Sequence, residues 1–191
     1  GNELTYYPGE TVARMADILI VNKANSATKE ELDALVSNLK SINKKAKIIM
    51  ADSVVIPDNP KIIKDKRVLV IEDGPTITHG GMKFGAGTVA AKKYGAKEIV
   101  SAKDYAVGLI RGTFEKYPNL DKELPAMGYS LKQIRDLEAT INKADCDIVI
   151  SATPTNLRNI INANKPIVQV SYELKPHDDA LDKMIMEFAH R

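Results

Sequence analysis

Two periods of apolar residues take turns along the chain. Short β-branched runs occur at Ile18-Leu19-Ile20-Val21, Lys47 to Ala51, Val68-Leu69-Val70-Ile71, Glu98-Ile99-Val100, Asp147 to Ser151 and Ile167 to Tyr172. Their length and composition predict buried strands. Between them, apolar residues recur every three or four positions, which predicts helices. Thr28 to Ile42 is the clearest, with Leu32, Leu35, Val36 and Leu39 on one face and a capping box from Thr28 to Glu31. Ser130 to Asn142 follows the same rule through Leu131, Ile134, Leu137 and Ile141.

Weaker helical signals complete the pattern. Glu10 to Ala16 is expected to turn Val12 and Met15 inward, and Ser101 to Arg111 forms a further helix. Thr153-Pro154 opens another through Ile161, with proline in its first turn. Asp178 to Arg191 is a terminal helix with Leu181, Met184, Ile185 and Phe188 inward, and Asn119 to Gly128 reads as a loop. Strands alternating with helices predict an α/β, Rossmann-like fold with a mostly parallel sheet and flanking helices. The turn signal Pro57-Asp58-Asn59-Pro60 divides residues 1–56, two β/α units of a nucleotide-binding domain, from residues 57–191, a second α/β domain.

The stretch from Arg67 to Tyr94 carries the most chemistry. Its strand stops at Glu72 and Asp73, followed by Gly74-Pro75 and a loop with Thr76, Thr78, His79, Gly80, Gly81 and Lys83. Gly85 and Gly87 then lead into a helix from Thr88 to Lys93, closed by Gly95. Unpaired N–H groups at a helix start, bare glycine backbone and a lysine suit an anion, so the segment reads as a phosphate-handling loop. The competing reading is an ordinary connection between strand and helix. Gly85 to Ala90 fits G-x-G-x-x-A, but a dozen residues separate it from its strand, and G-x-x-x-x-G-K-[ST] is absent from this chain. His79, Lys83 and Asp73 are the candidate catalytic residues, His79 as acid-base or cationic phosphate contact. Glu72 and Asp73 are candidate Mg²⁺ ligands, since that ion needs one or two carboxylates plus substrate phosphates; alternatively Asp73 only caps the turn. Asn22, Lys23, Asp52, Ser53 and Thr153 also fall at carboxyl ends of predicted strands, where such sheets collect ligands.

Composition narrows the classes. Lys and Arg total 27 against 25 acids, a net charge of +2, which does not point to nucleic acid. Apolar residues at 44% and charged at 27% are a globular balance. The single cysteine, Cys146, rules out an internal disulfide and fits a cytoplasmic location. No apolar run is long enough for a membrane span, so no membrane partner is expected. His177 and His190 read as surface residues, and no zinc site is expected.

The segment EDGPTITHGGMKFGAGTVAAKKYGA resembles the signature of the cyclic 2,3-diphosphoglycerate synthetase family. The likeness continues through Tyr105 to Gly108, Phe114 to Pro118, Leu124 to Tyr129, Asp136 to Asn142 and Ala152 to Pro154, and upstream through Tyr6 to Glu10 and Val21 to Lys23. It implies an ATP-dependent closure of 2,3-diphosphoglycerate into a cyclic phosphoanhydride, with Mg²⁺. Matching positions make Thr78, His79, Gly80, Gly81, Lys83, Gly85, Gly87 and Thr88 the phosphate-binding candidates. Asn22-Lys23-Ala24-Asn25 resembles the base-contact N-K-x-D of P-loop GTPases, with Asn25 in place of the acid. That substitution puts guanine selectivity, and so GTP rather than ATP, in doubt; a strand end feeding a capped helix is the plain alternative.

Members of that family are longer, with a P-loop NTPase-like region ahead of the part this chain resembles. Residues 1–56 are accordingly expected to be the C-terminal remnant of a P-loop-like domain, and residues 57–191 to supply a polyanion site. The expected partners are a small phosphorylated molecule, the N-terminal nucleotide-binding portion of a longer polypeptide, and further copies in a homo-oligomer. By itself the chain is expected to be inactive. Two other classes stay open: a regulatory GTPase-like nucleotide-binding module, and a self-association domain without catalysis.

Overall fold

Strand β1 (Ile18–Val21) lies parallel to β2 (Lys47–Pro57), with Leu19 opposite Ile48 and Val21 opposite Met50. The computed structural model describes residues 2–79, 85–120 and 122–190, and the side chains of Thr76 and His79 are outside that description. Its backbone forms two compact units, Gly1–Val54 with Glu173–Arg191, and Val55–Tyr172. The architecture is α/β, and among the described residues β1 pairs with β2, the strand Arg67–Asp73 with Glu98–Ile99, Leu124–Ala126 and Ile148–Ala152, and Ile148–Ala152 with Ile167–Pro176, all in parallel.

In the first unit, α1 (Gly9–Met15) and α2 (Lys29–Ile42) contribute Ala13 and Leu39 to a core with Val21, joined by Leu19, Leu35 and Ile48. The capping box is present as predicted: Glu31 N–H donates to Thr28 Oγ1, and Thr28 N–H to a Glu31 carboxylate oxygen at 2.8 Å. The inward face of α1 is the reverse of the expected one. Ala13 is buried whereas Val12 and Met15 are 62% and 79% exposed, because the small alanine brings α1 close against Leu39 and Val21. Asn43 binds the two elements further, its Nδ2 donating to Ala13 O and Ala16 O while its Oδ1 accepts from Lys45 N–H and Ala46 N–H. Helix α7 (Ala180–Ala189) ends this unit, and none of its residues is buried.

In the second unit, β3 (Arg67–Asp73) is fully apolar and buried from Val68 to Ile71, as a strand covered on both faces must be. Strand β6 (Ile148–Ala152) pairs with one edge of it, and β7 (Ile167–Pro176) pairs with β6. The short strands β4 (Glu98–Ile99) and β5 (Leu124–Ala126) pair with opposite ends of β3. The chain thus builds outward from β3 in one direction, then returns to add β6 and β7 in the other. On one face Val68, Val70, Ile150 and Val168 pack with Ala90 and Ala91 of α4 (Ala86–Lys93). On the other, Leu69, Ile71 and Val149 pack with Phe114 of α5 (Gly108–Lys116) and with Leu137 and Ile141 of α6 (Leu131–Lys143).

Several elements differ from the sequence reading for local reasons. The residues after Asp73 form a short helix, α3 (Gly74–His79), rather than a loop; Pro75 suits a first helical turn and Thr78 Oγ1 donates back to Gly74 O at 2.7 Å. The helix expected over residues 101–111 is broken into a 3-10 turn at Ala102–Tyr105 and α5, because Gly108 takes φ +51 and Asp136 receives the Leu109 N–H. The region read as a loop contains β5, whose Leu124 pairs with Ile71. After Thr153-Pro154 only a 3-10 turn forms, at Leu157–Asn159, since the Thr153 and Asn156 side chains bind nearby backbone instead. Gly95 does close α4, at φ +75.

Candidate functional site

The strand order reverses between β3 and β6, and the carboxyl ends of those strands form the topological switch point where open α/β sheets take ligands. Glu72 projects there from the next-to-last position of β3, opposite Ala152 of β6. Alternation along the strand sends it to the same face as Val70, toward the start of α4. Glu72 is 2% exposed and its carboxylate sits on the first turn of that helix: Thr88 N–H donates to Glu72 Oε1 at 3.0 Å.

Glycine at 85 and 87 is required by this close approach. A Cβ on Gly85 would run into the Glu72 carboxylate, and one on Gly87 would come within 2.8 Å of Val70 Cγ1 and 3.1 Å of Glu72 Oε1. Gly85 and Gly87, two of the glycines read from sequence as a cradle, therefore hold a protein carboxylate at the helix N-terminus, the position favoured for negative charge. An arriving phosphate would meet these amides only after Glu72 moved aside.

A second carboxylate adjoins the first. Glu123, buried just ahead of β5, accepts a hydrogen bond from Thr88 Oγ1 at 2.9 Å. Thr88 consequently serves both acids, one through its backbone and one through its hydroxyl. Burial pushes the Glu72 carboxyl up to about 7; the charge of Glu123 adds to this, and the amides of Thr88, Gly87 and Gly85 pull against it. A carboxyl held near neutrality is suited to exchanging a proton during catalysis.

The neighbouring strand ends are polar and buried as well. Ser151 and Thr153 hydroxyls lie 3.3 Å apart, Thr153 Oγ1 donates to Thr155 O, and Gln169 Nε2 donates to Thr153 O at 2.8 Å. Among the described residues, no group of three or more His, Cys, Asp or Glu side chains is placed to hold a metal ion. Glu72 is turned onto backbone amides, whereas Asp73 stands partly buried at the strand tip.

The sequence-derived candidates separate into groups. Glu72, Gly85, Gly87 and Thr88 come together at the start of α4. Thr78 lies within α3. Gly80, Gly81 and Lys83 lie outside the described residues, as does the side chain of His79. Asn22, Lys23 and Asn25 belong to the other unit. There Asn22 Oδ1 accepts the Lys23 N–H, and the Asn25 amide exchanges two hydrogen bonds with the backbone of Ser53. Glu123 was not foreseen: it sits one residue before a strand read as loop, so nothing in its neighbourhood signalled its pairing with β3. Ser151 and Gln169 were read only as strand residues.

No protein-family model matches the chain. The chain is 52% identical over 187 residues to arginine synthetase ArcE of Thermococcus kodakarensis. That match takes in 98% of this chain and 42% of the relative, so the chain spans less than half the length of the curated protein it resembles. The relative bears a synthetase name, as the sequence resemblance implied, but its named product is arginine and not a cyclic phosphoglycerate.

Proposed function

We propose that this chain is part of a nucleotide-dependent ligase and that its switch-point site handles a nitrogen-bearing acceptor in an arginine-forming reaction. The observation that carries this is the buried pair Glu72 and Glu123, bridged by Thr88. Closing a phosphoanhydride ring uses a phosphate oxygen that is already anionic, and two buried carboxylates repel it. Forming a C–N bond makes the opposite demand, because the attacking nitrogen must shed a proton as it displaces the phosphate that activates the carbon. Glu72, with its carboxyl near neutrality, accepts that proton, while Glu123 favours a cationic amine or guanidinium beside it.

Bound ATP would supply the activating phosphoryl group and Mg²⁺ the matching charge. Of the residues present, Asp73 suits the metal better than Glu72, whose oxygen is engaged by Thr88. Without a G-x-x-x-x-G-K-[ST] segment, this chain is better suited to the acceptor than to the nucleotide phosphates. The glycine-rich segment favours one second reading, cyclic 2,3-diphosphoglycerate formation, in which a polyanion displaces Glu72 from the helix start. Calorimetric titration with arginine and with 2,3-diphosphoglycerate separates the two. Binding of arginine that is lost in Glu123→Gln supports the first; binding of the bisphosphate alone replaces it with the second.

A further inference from the structure

Helix α7 and a groove along α2 are left open together in the same unit. The groove, about 630 Å³, is lined by Leu32, Asp33 and Val36 of α2, by Met50 and His177, and by the lysines Lys29 and Lys40 near the two ends of α2. No α7 residue lines it. Helix α7 carries Leu181, Met184, Ile185 and Phe188 on one stripe at helical spacing, yet Ile185 and Phe188 remain 53% and 78% exposed. A stripe of that size facing water is unusual for a surface helix and marks a contact face.

The two features match in size and charge. Ten helical residues span about 15 Å, and Lys29 to Lys40 covers about 16 Å. The α7 side chains beside the stripe include Asp182 and Glu187, which are complementary to Lys29 and Lys40, whose two charges outnumber the single one of Asp33 between them. Its start is pinned next to the groove, since His177 N–H donates to Met50 O and the His177 ring pairs with Asp52 at 2.7 Å.

We propose that the α2 groove receives α7 of a second copy of this chain. One unit bearing both the ridge and its matching groove is self-complementary, as a two-fold dimer requires: α7 of each copy fills the groove of the other. Each contact buries Ile185 and Phe188 against Leu32, Val36 and Met50, with lysine–acid pairs at the rim.

Sedimentation of the intact chain across a concentration series tests this. A reversible dimer is expected, and Ile185→Lys or Phe188→Asp raises its dissociation constant by roughly tenfold or more. Both side chains are exposed, so an unchanged melting temperature of the dilute monomer checks that each variant folds. In a Cys146→Ser background, Val36→Cys with Ile185→Cys should yield a disulfide-linked dimer on oxidation. A chain that stays monomeric throughout overturns the proposal, as does a dimer indifferent to both α7 variants. A disulfide formed within one chain overturns it too, by assigning α7 to its own groove.

Discussion

The backbone N–H of Thr88 donates to Glu72 Oε1 at 3.0 Å, so α4 begins on a carboxylate supplied sixteen residues earlier in the chain. The arrangement has a pH signature. The Glu72 carboxyl is raised from an ordinary 4.5 to about 7, chiefly by burial, so the folded chain binds a proton more tightly than the unfolded one. Stability from this group is full below about 4.5 and is lost as pH rises through about 7, by about 3 kcal/mol. Glu72→Gln stays neutral and still accepts the Thr88 N–H, so it should remove that part of the slope. Urea unfolding at pH 5 and pH 8 measures it: the wild-type chain loses stability between the two, and the variant loses less. An equal loss in both would show that Glu72 does not titrate as described.

Gly85→Ala tests the close approach itself. The new methyl group occupies the space of the Glu72 carboxylate, which must turn away and leave the amides of the helix start unpaired. A loss of about 1–3 kcal/mol is expected, the range for an unsatisfied buried polar group. The double variant Gly85→Ala with Glu72→Ala should recover part of it, because the second change removes the collision. Chemical denaturation of the four proteins in the cycle gives the coupling, and strictly additive losses would disprove the contact.

Asn43 makes a comparable prediction for the other unit. Its amide satisfies carbonyls at the end of α1 and amides leading into β2, all from one buried side chain. Asn43→Ala should destabilise that unit by about 2–4 kcal/mol, through several buried groups left unpaired at once. Asn43→Asp keeps the acceptor but loses the donor, so it should fall between. Hydrogen exchange of the Lys45 and Ala46 amides distinguishes the two: fast in Asn43→Ala, still protected in Asn43→Asp.

Strands and the two long helices were legible because their signals are local. The run Val68 to Ile71 and the capping box at Thr28 need no knowledge of what lies across the sheet. What failed depended on distant partners. Strand β5 has only three residues and exists because Leu124 meets Ile71; Val12 and Met15 stay exposed because Ala13 is the residue that fits against Leu39. The site divided in the same way. Glu72, Gly85, Gly87 and Thr88 stand out as an acid followed by glycines and a helix start, but the sequence suggested an external anion where Glu72 itself sits. Glu123 is far along the chain and meets Thr88 only through the fold.

Ligand preference is where the two functional readings part. Glu72 and Glu123 are both buried and both linked to Thr88, so a bound cation gains from two carboxylates and an anion is opposed by both. Arginine should therefore raise the melting temperature of this chain, and inorganic phosphate should not. Thr88→Val removes the hydroxyl that holds Glu123 in place while keeping the backbone N–H to Glu72, and should weaken arginine binding by about tenfold through the loss of that positioning. Thr88→Ser should restore it, since the hydroxyl returns. Raising the pH from 6 to 8 ionises Glu72 and strengthens arginine binding, whereas displacement of Glu72 by 2,3-diphosphoglycerate would weaken over the same interval. Titration calorimetry with each ligand at both pH values reads the sign directly. Tighter bisphosphate binding at pH 6, with none of arginine at either pH, would transfer the site to the phosphoanhydride-forming reading.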